Sequence, residues 1–290
     1  MTQRFIIIEK DFIPEHTFEC GQCFRWNKTD NGNYIGIVSD SVLEVIKEHD
    51  KYFVYFENKE EDFIKEYFDL NRDYNMLINE ILSMDDKLRD AVKYGFGIRI
   101  LRQDIWECII SFIISINNNI PRIKKIIENI SRYYGKEIYY KGRVFYSFPK
   151  PEVLAKASEK ELRMLNCGFR VPYIINAAKM IESGDVDIYG LKNKSNEEVR
   201  KELMKLPGVG EKVSSCIMLY SLGRFDIFPV DVWIKRIMEN IYLKRYESPR
   251  EIEKFALARF KDKAGIVQQY LYFYFRNNKD FLKGISKSGC

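Results

Sequence analysis

Histidine is nearly missing from this sequence. His16 and His49 are the only two in 290 residues, too few and too scattered for catalysis by imidazole. Long apolar runs are missing too. The longest stretch without a charge, Cys108 to Pro121, has 14 residues and includes serines and asparagines. A membrane span needs about 20 apolar residues, so no membrane association is expected. The start, Met1-Thr2-Gln3-Arg4-Phe5 with Glu9 close behind, lacks the apolar run and small-residue cleavage site of a secretory signal. Six cysteines are too few to staple a chain of this length, so the expectation is a reduced, intracellular protein that is not secreted. Cys20 and Cys23 have CxxC spacing but no second pair, and they fall in a predicted strand rather than at a helix start. Zinc and redox roles are therefore not expected there, and no metal site is. No glycine-rich nucleotide loop, repeat or low-complexity segment occurs.

What is present is a globular balance, 46% apolar and 31% charged, which excludes wholesale disorder. The net charge is +5. The excess is concentrated between Arg122 and Arg143, where seven basic residues face two acidic ones and Tyr133, Tyr134, Tyr139 and Tyr140 are interleaved. Such a stretch suits phosphates and bases, and equally a solvated helix face with packing tyrosines.

Two periodicities divide the chain. Phe5–Ile8, Cys23–Trp26, Tyr34–Val38, Val42–Ile46 and Tyr52–Phe56 are rich in β-branched or aromatic residues, with Asp30-Asn31-Gly32-Asn33 as a strong turn signal. They read as an antiparallel meander. From about residue 60 the period is helical. Phe63, Ile64, Tyr67 and Phe68 share a face, as do Tyr74, Leu77, Ile78 and Ile81. Asp104-Ile105-Trp106-Glu107 reads as a helix start of capping-box type. The rest reads as helix after helix. The expected class is α+β, with an N-terminal antiparallel sheet domain over about 1–84 and an all-α domain over about 85–290. The border lies within 57–104.

The most informative segment is Leu206-Pro207-Gly208-Val209-Gly210-Glu211-Lys212, between an amphipathic helix and an apolar one in the region 197–222. Proline ends the first helix, and the two glycines permit a tight turn with positive φ. The second helix then opens with bare backbone N–H groups, a site for a phosphate that reads no sequence. Lys212 lies in its first turn, where the helix dipole disfavours positive charge and so favours the neutral, nucleophilic amine. A solvated surface lysine is the plain alternative. Asp231, in Pro229-Val230-Asp231-Val232-Trp233, is a good N-cap, and a carboxylate beside a cleft also stabilises a developing cation.

These residues together resemble the helix-hairpin-helix DNA glycosylases with a Gly/Pro-rich loop and an aspartate, and among them the 8-oxoguanine DNA glycosylases. Further signatures carry the resemblance from about residue 20 to 275. They are Cys20-Gly21-Gln22-Cys23-Phe24-Arg25-Trp26, Leu101-Arg102-Gln103-Asp104, Ser115 to Ile123, Cys167-Gly168-Phe169-Arg170, and Ala264-Gly265-Ile266-Val267-Gln268 with Tyr272. The resemblance implies that the helical part is a glycosylase domain. It implies a bifunctional base-excision repair enzyme, a DNA N-glycosylase with AP lyase activity, that flips out and excises 8-oxoguanine. The strand is then nicked by β-elimination through a lysine Schiff base. Lys212 would be the nucleophile and Asp231 would stabilise positive charge on the sugar. Gly21 would read the N7–H of the lesion through its carbonyl, Gln268 would bind the Watson–Crick edge, and Cys216 and Tyr272 would sandwich the base. Asn117, Arg122 and Arg170 would meet the opposite cytosine and Phe169 would wedge into the stack. Gly208, Gly210 and Trp233 would meet the backbone. Tyr272 stands where the family usually has phenylalanine, Phe169 where it has tyrosine, and Trp233 where it has histidine. The implied partner is double-stranded DNA containing 8-oxoguanine, bound by a monomer, in the cytoplasm or nucleoid of a prokaryote or the nucleus of a eukaryote. No cofactor is implied. The iron–sulfur cluster of some relatives needs four cysteines, and the C-terminal region has only Cys290, although an ion could sit on the hairpin carbonyls. A glycosylase for alkylated purines and a non-catalytic DNA-binding module are the alternatives. The first would lack the hairpin lysine, and the second leaves Lys212, Cys216, Asp231 and Gln268 unexplained as a set.

Overall fold

The computed structural model of the protein describes residues 4–8 and 11–278. Cys290 lies outside the described residues. The N-terminal part contains β1 (Arg4–Ile8), α1 (Pro14–Glu19), β2 (Trp26–Lys28), β3 (Tyr34–Val38), β4 (Ser41–Glu48), β5 (Lys51–Phe56) and α2 (Glu61–Tyr67). The sheet is antiparallel with the order β1-β5-β4-β3-β2. The expected meander holds from β2 to β5. The first strand closes instead beside the last, with Phe5 opposite Tyr55. Alternation along a strand identifies its buried face but not its neighbour, so this pairing was not readable from local pattern. The predicted strand at Cys23 begins only at Trp26, and Cys20 to Arg25 form a loop.

One sheet face, with Ile8, Leu43, Val54 and Phe56, packs on Phe18, Ile64 and Phe68. Trp26 stacks on Phe18 at 4.0 Å between ring centroids and donates its indole N–H to the Tyr67 hydroxyl at 2.7 Å. It lies across from Gly36, where a Cβ would come within 2.4 Å of the indole. That packing anchors the loop that precedes Trp26.

The helical part contains α3 (Tyr74–Met84), α4 (Arg89–Tyr94), α5 (Ile105–Ile114), α6 (Ile120–Tyr134), α7 (Pro151–Leu154), α8 (Glu159–Met164) and α9 (Val171–Glu182). It continues with α10 (Asn196–Leu203), α11 (Glu211–Tyr220), α12 (Val232–Ile237), α13 (Pro249–Phe260) and α14 (Ala264–Asn277). Its core centres on α5, whose Ile109, Ile110, Ile113 and Ile114 are wholly buried. Asp104 caps α5, accepting from the Glu107 N–H at 2.9 Å. The expected box is only half made. The Glu107 carboxylate turns to Arg25 of the sheet domain, 3.5 Å away. Burial pushes that carboxyl up to about 7, with Arg25 opposing the shift.

The expectation of helices alone after residue 60 is corrected at residues 137–146. There β6 (Glu137–Tyr140) and β7 (Arg143–Tyr146) form a hairpin. Its two-residue turn, Lys141 and Gly142, has φ of 47° and 72°, the left-handed pair that suits the twist of a hairpin. The hairpin lays Tyr140 on Ile35 and Val42, on the other face of the sheet, and Lys141 pairs with Glu44 at 2.6 Å. Part of the basic, tyrosine-rich stretch therefore joins the two halves of the molecule.

Candidate active site

The hairpin between α10 and α11 is built by a turn of definite type. The Val209 N–H bonds to the Leu206 carbonyl at 3.0 Å, Pro207 holds the second position and Gly208 the third with φ +84°. This is a type II turn, which requires positive φ at its third residue. Helix α10 ends at Leu203, so Pro207 shapes the turn rather than stopping the helix. Gly210 departs from expectation: its φ is −98°, which any residue adopts. It is the N-cap of α11 and offers no side-chain cap, which leaves the first-turn N–H groups of that helix without a side-chain partner. A Cβ on Gly208 would lie 2.9 Å from the Tyr173 ring, whereas one on Gly210 would meet nothing within 4 Å. Gly208→Ala is therefore expected to destabilise the fold by about 1–3 kcal/mol, and Gly210→Ala by less than about 0.5 kcal/mol. Thermal denaturation of the two variants checks this contrast.

Helix α11 aims Lys212 into a cleft of about 600 Å³ that Gly21, Asn117, Gly208, Gly210, Asp231 and Trp233 also line. An inner pocket of about 40 Å³ opens beside it. Its walls bring together Lys212, Asp231, Gly21, Cys216, Gln268 and Tyr272, from four separate segments of the chain, with Phe112 and Tyr220. The expected nucleophile, carboxylate and base-contacting residues thus share one small space. Arg122 and Phe169 do not line it. Arg122 is exposed in the first turn of α6, and Phe169 is 51% exposed with the Arg170 guanidinium 4.4 Å from its ring centroid.

Each residue is held by local structure. Asp231 caps α12: one carboxylate oxygen accepts from the Trp233 and Ile234 N–H groups at 2.9 and 2.8 Å. Burial pushes its carboxyl above the ordinary range, and the two N–H groups and the charge of Lys212 oppose that shift. The capping and charge roles fall on the same side chain. The Lys212 ammonium lies 5.2 Å from the Phe112 ring centroid. Burial raises the Cys216 thiol, with Lys212 opposing. Gln268 is 4% exposed, and its Oε1 has no hydrogen-bond partner in the pocket. Gly21 has φ +86°, and the Tyr272 ring packs so close that a Cβ there would meet it at 3.2 Å. Burial pushes the Tyr272 phenol up to about 12.

Arg170 has a different surrounding from its expected role. It is 2% exposed, and its guanidinium bonds to the carbonyls of Ile116 and Asn117, the latter at 3.1 Å. Asn117 itself has φ +47° at the turn between α5 and α6. Arg170 thus ties down the loop that presents Asn117. Residues that sequence reasoning passed over are Phe112, Tyr220 and Gln269. Phe112 stacks on Tyr220 at 5.5 Å, and nothing in the sequence separates it from the other apolar positions of α5. Among the described residues no cluster of three or more His, Cys, Asp or Glu could hold a metal.

Known proteins are similar to this chain in sequence and fold. The family of the 8-oxoguanine DNA glycosylase N-terminal domain matches residues 4–109, and that of the HhH-GPD superfamily base excision DNA repair proteins matches residues 110–261. A probable N-glycosylase/DNA lyase of Methanothermobacter thermautotrophicus is 32% identical over 214 residues, covering 67% of this chain and 68% of that protein. The N-glycosylase/DNA lyase of Saccharomyces cerevisiae is 30% identical over 271 residues, 82% of this chain and 70% of that one. The Clostridium acetobutylicum 8-oxoguanine glycosylase/lyase, solved with duplex DNA containing cytosine opposite 8-oxoguanine, superposes with a TM-score of 0.88 at 41% identity over 94% of this chain and 98% of that one. The chain belongs to the HhH-GPD superfamily of base excision DNA repair proteins and carries the N-terminal domain of the 8-oxoguanine DNA glycosylases.

Proposed function

We propose that this protein excises 8-oxoguanine from duplex DNA and then nicks the strand. The observation that carries the reading is the inner pocket, where an amine and a carboxylate meet a buried acceptor without a partner. The Watson–Crick edge of a guanine-type base offers N–H donors, and the Gln268 Oε1 is placed to accept one. The lesion differs from guanine by an N7–H, and the backbone at Gly21 lines the same pocket. A carbonyl there accepts from the lesion but opposes the bare N7 of guanine, a strong basis for discrimination. Cys216 and Tyr272 flank the base. In its present form the pocket is narrowed where the Tyr272 ring packs against Gly21, close enough that a Cβ on Gly21 would meet it at 3.2 Å.

The chemistry follows from Lys212 and Asp231. Lys212, deprotonated for the attack, bonds to C1′ as the bond from C1′ to N9 breaks; the base departs with that electron pair and takes up the proton that the alkylated nitrogen sheds. The fixed Asp231 carboxylate faces the cationic sugar and favours that transition state over the ground state. Opening of the sugar ring gives a Schiff base, and loss of a C2′ proton expels the 3′ phosphate. The bare N–H groups of α11 grip a backbone phosphate, and Gly210 leaves room for it. Gly210→Ala should therefore weaken DNA binding while the fold is unaffected. Asn117 and Arg122 face the opposite cytosine, Phe169 fills the gap in the stack, Trp233 meets the backbone, and Arg170 orders the Asn117 loop. The names of the yeast and archaeal relatives and the ligand of the clostridial structure support the reading.

The test is a single-turnover assay in EDTA on duplexes with 8-oxoguanine opposite cytosine, an undamaged guanine, or 3-methyladenine. Release of 8-oxoguanine with a nick is expected. Release of 3-methyladenine alone would overturn the reading.

A further inference from the structure

Helix α14 carries adjacent glutamines, Gln268 and Gln269, in the otherwise apolar run Ile266 to Phe275. Consecutive helical residues point about 100° apart, and the two amides have separate surroundings. Gln268 reaches the inner pocket. Gln269 does not line it and is fully buried. Its Nε2 donates to the Cys20 carbonyl at 2.9 Å, and its Oε1 accepts from the Tyr220 hydroxyl at 2.6 Å. A carbonyl can only accept, so the amide nitrogen must face Cys20 and the oxygen must face Tyr220. The orientation of the amide is determined by its partners.

Cys20 is the residue before Gly21. The residue after it is pinned as tightly. The Gln22 side chain donates to the carbonyls of Thr17 at 2.9 Å and Arg99 at 2.8 Å, and accepts from the Leu101 N–H at 2.9 Å. The Gln22 carbonyl accepts from the Gln103 amide at 2.8 Å. Gly21 has no side chain of its own to hold it and sits at φ +86°. Its backbone is positioned by what clamps its two neighbours. On the Cys20 side that clamp comes from α14, 249 residues away in the chain.

We propose that Gln269 is a positioning residue for recognition of the damaged base: with Tyr220 it sets the Gly21 backbone so that its carbonyl meets the N7–H of 8-oxoguanine. This rests on the function proposed above. Gln269 touches neither the sugar nor Lys212, so it acts on base recognition and leaves lyase chemistry alone. A hydrogen bond tolerates only a few tenths of an ångström and modest tilt, and a misplacement of about 1 Å can cost on the order of a hundredfold in rate.

The experiment compares two rates in the same protein: single-turnover release of 8-oxoguanine, and nicking of a preformed abasic site that has no base to read. Gln269→Leu keeps the bulk and loses both hydrogen bonds. In its carboxylate form Gln269→Glu keeps an acceptor for Tyr220 but cannot donate to Cys20. In both, base release is expected to fall about 10- to 100-fold while abasic nicking stays within about twofold of wild type. Tyr220→Phe leaves the donor to Cys20 in place and removes only the hydroxyl, so a smaller loss of base release than in Gln269→Leu is expected. Equal loss of base release and nicking in the two Gln269 variants would overturn the proposal in favour of a general structural role. Unchanged base release in Gln269→Leu would overturn it outright. A wild-type protein that nicks abasic DNA but releases no 8-oxoguanine would instead overturn the proposed substrate, and this role with it.

Discussion

Replacing Lys212 with glutamine is expected to abolish the covalent adduct that borohydride traps between the wild-type protein and 8-oxoguanine DNA. Strand cleavage should fall by about a thousandfold or more, because the amine that becomes the Schiff base is gone. Glutamine is close in length and fills the same space over Phe112. The fold loses only a cation–π contact, worth about 0.5–1 kcal/mol, and DNA binding through the hairpin remains. Loss of activity with retained binding is therefore the expected pair of results. One other amine, that of Lys235, lies on the wall of the outer cleft. It is engaged by the Glu239 carboxylate and the Glu247 carbonyl, and Glu239 is only 7% exposed. Those two contacts hold its side chain against the cleft wall, and it does not line the inner pocket where Lys212 stands. An adduct that persisted in Lys212→Gln would point to Lys235 and would remove Lys212 from the mechanism.

The helix-hairpin-helix was readable because its determinants are local: a proline, two glycines and two helices of suitable pattern. Even there the roles of the glycines differ. Gly208 answers to backbone geometry and Gly210 to open space, which the letters cannot separate. Strands β3, β4 and β5 were readable from their β-branched and aromatic runs. The place of β1 beside β5 was not, since it depends on contacts some fifty residues apart in sequence. The hairpin at 137–146 was hidden by its charge. Lys141 and Gly142 carry the turn, but in so basic a segment the strand alternation of Ile138 and Tyr140, with Phe145 opposite Ile138, was outweighed. The gathering of Gly21, Gln268 and Tyr272 around Lys212 is tertiary, and no periodicity predicts it. Resemblance to a family located those residues. Gln269 lay outside that resemblance. What distinguishes it is a physical oddity, an amide in an apolar helix that must find partners once buried.

Asp231→Asn should separate the two duties of this carboxylate. Asparagine is as good an N-cap as aspartate, and its side-chain oxygen can still accept from the N–H groups of Trp233 and Ile234. The fold is therefore expected to survive, whereas excision should fall about 10²- to 10³-fold with loss of the charge that faces the cationic sugar. The pH dependence gives an independent check. Burial holds the Asp231 carboxyl above its ordinary range, so the native state keeps its proton at a pH where the unfolded chain has lost it. Stability from this group is fullest in acid and declines as pH rises from the unfolded value through the folded one. At neutral pH the buried carboxylate is a net cost that asparagine does not carry. The variant should then melt at or above the wild-type temperature at pH 7, and that advantage should shrink as pH falls. Activity runs the other way, since only the ionised form stabilises the sugar cation. Wild-type excision should decline as pH falls through the folded value, and that acid limb should be missing from the residual rate of Asp231→Asn. Asp231→Ala removes cap and charge together and should cost about 1 kcal/mol of stability besides the rate. An Asn variant that unfolded like the Ala variant while keeping wild-type excision would reduce Asp231 to a cap. Greater stability with lost excision would identify its charge as a cost the fold carries for the reaction.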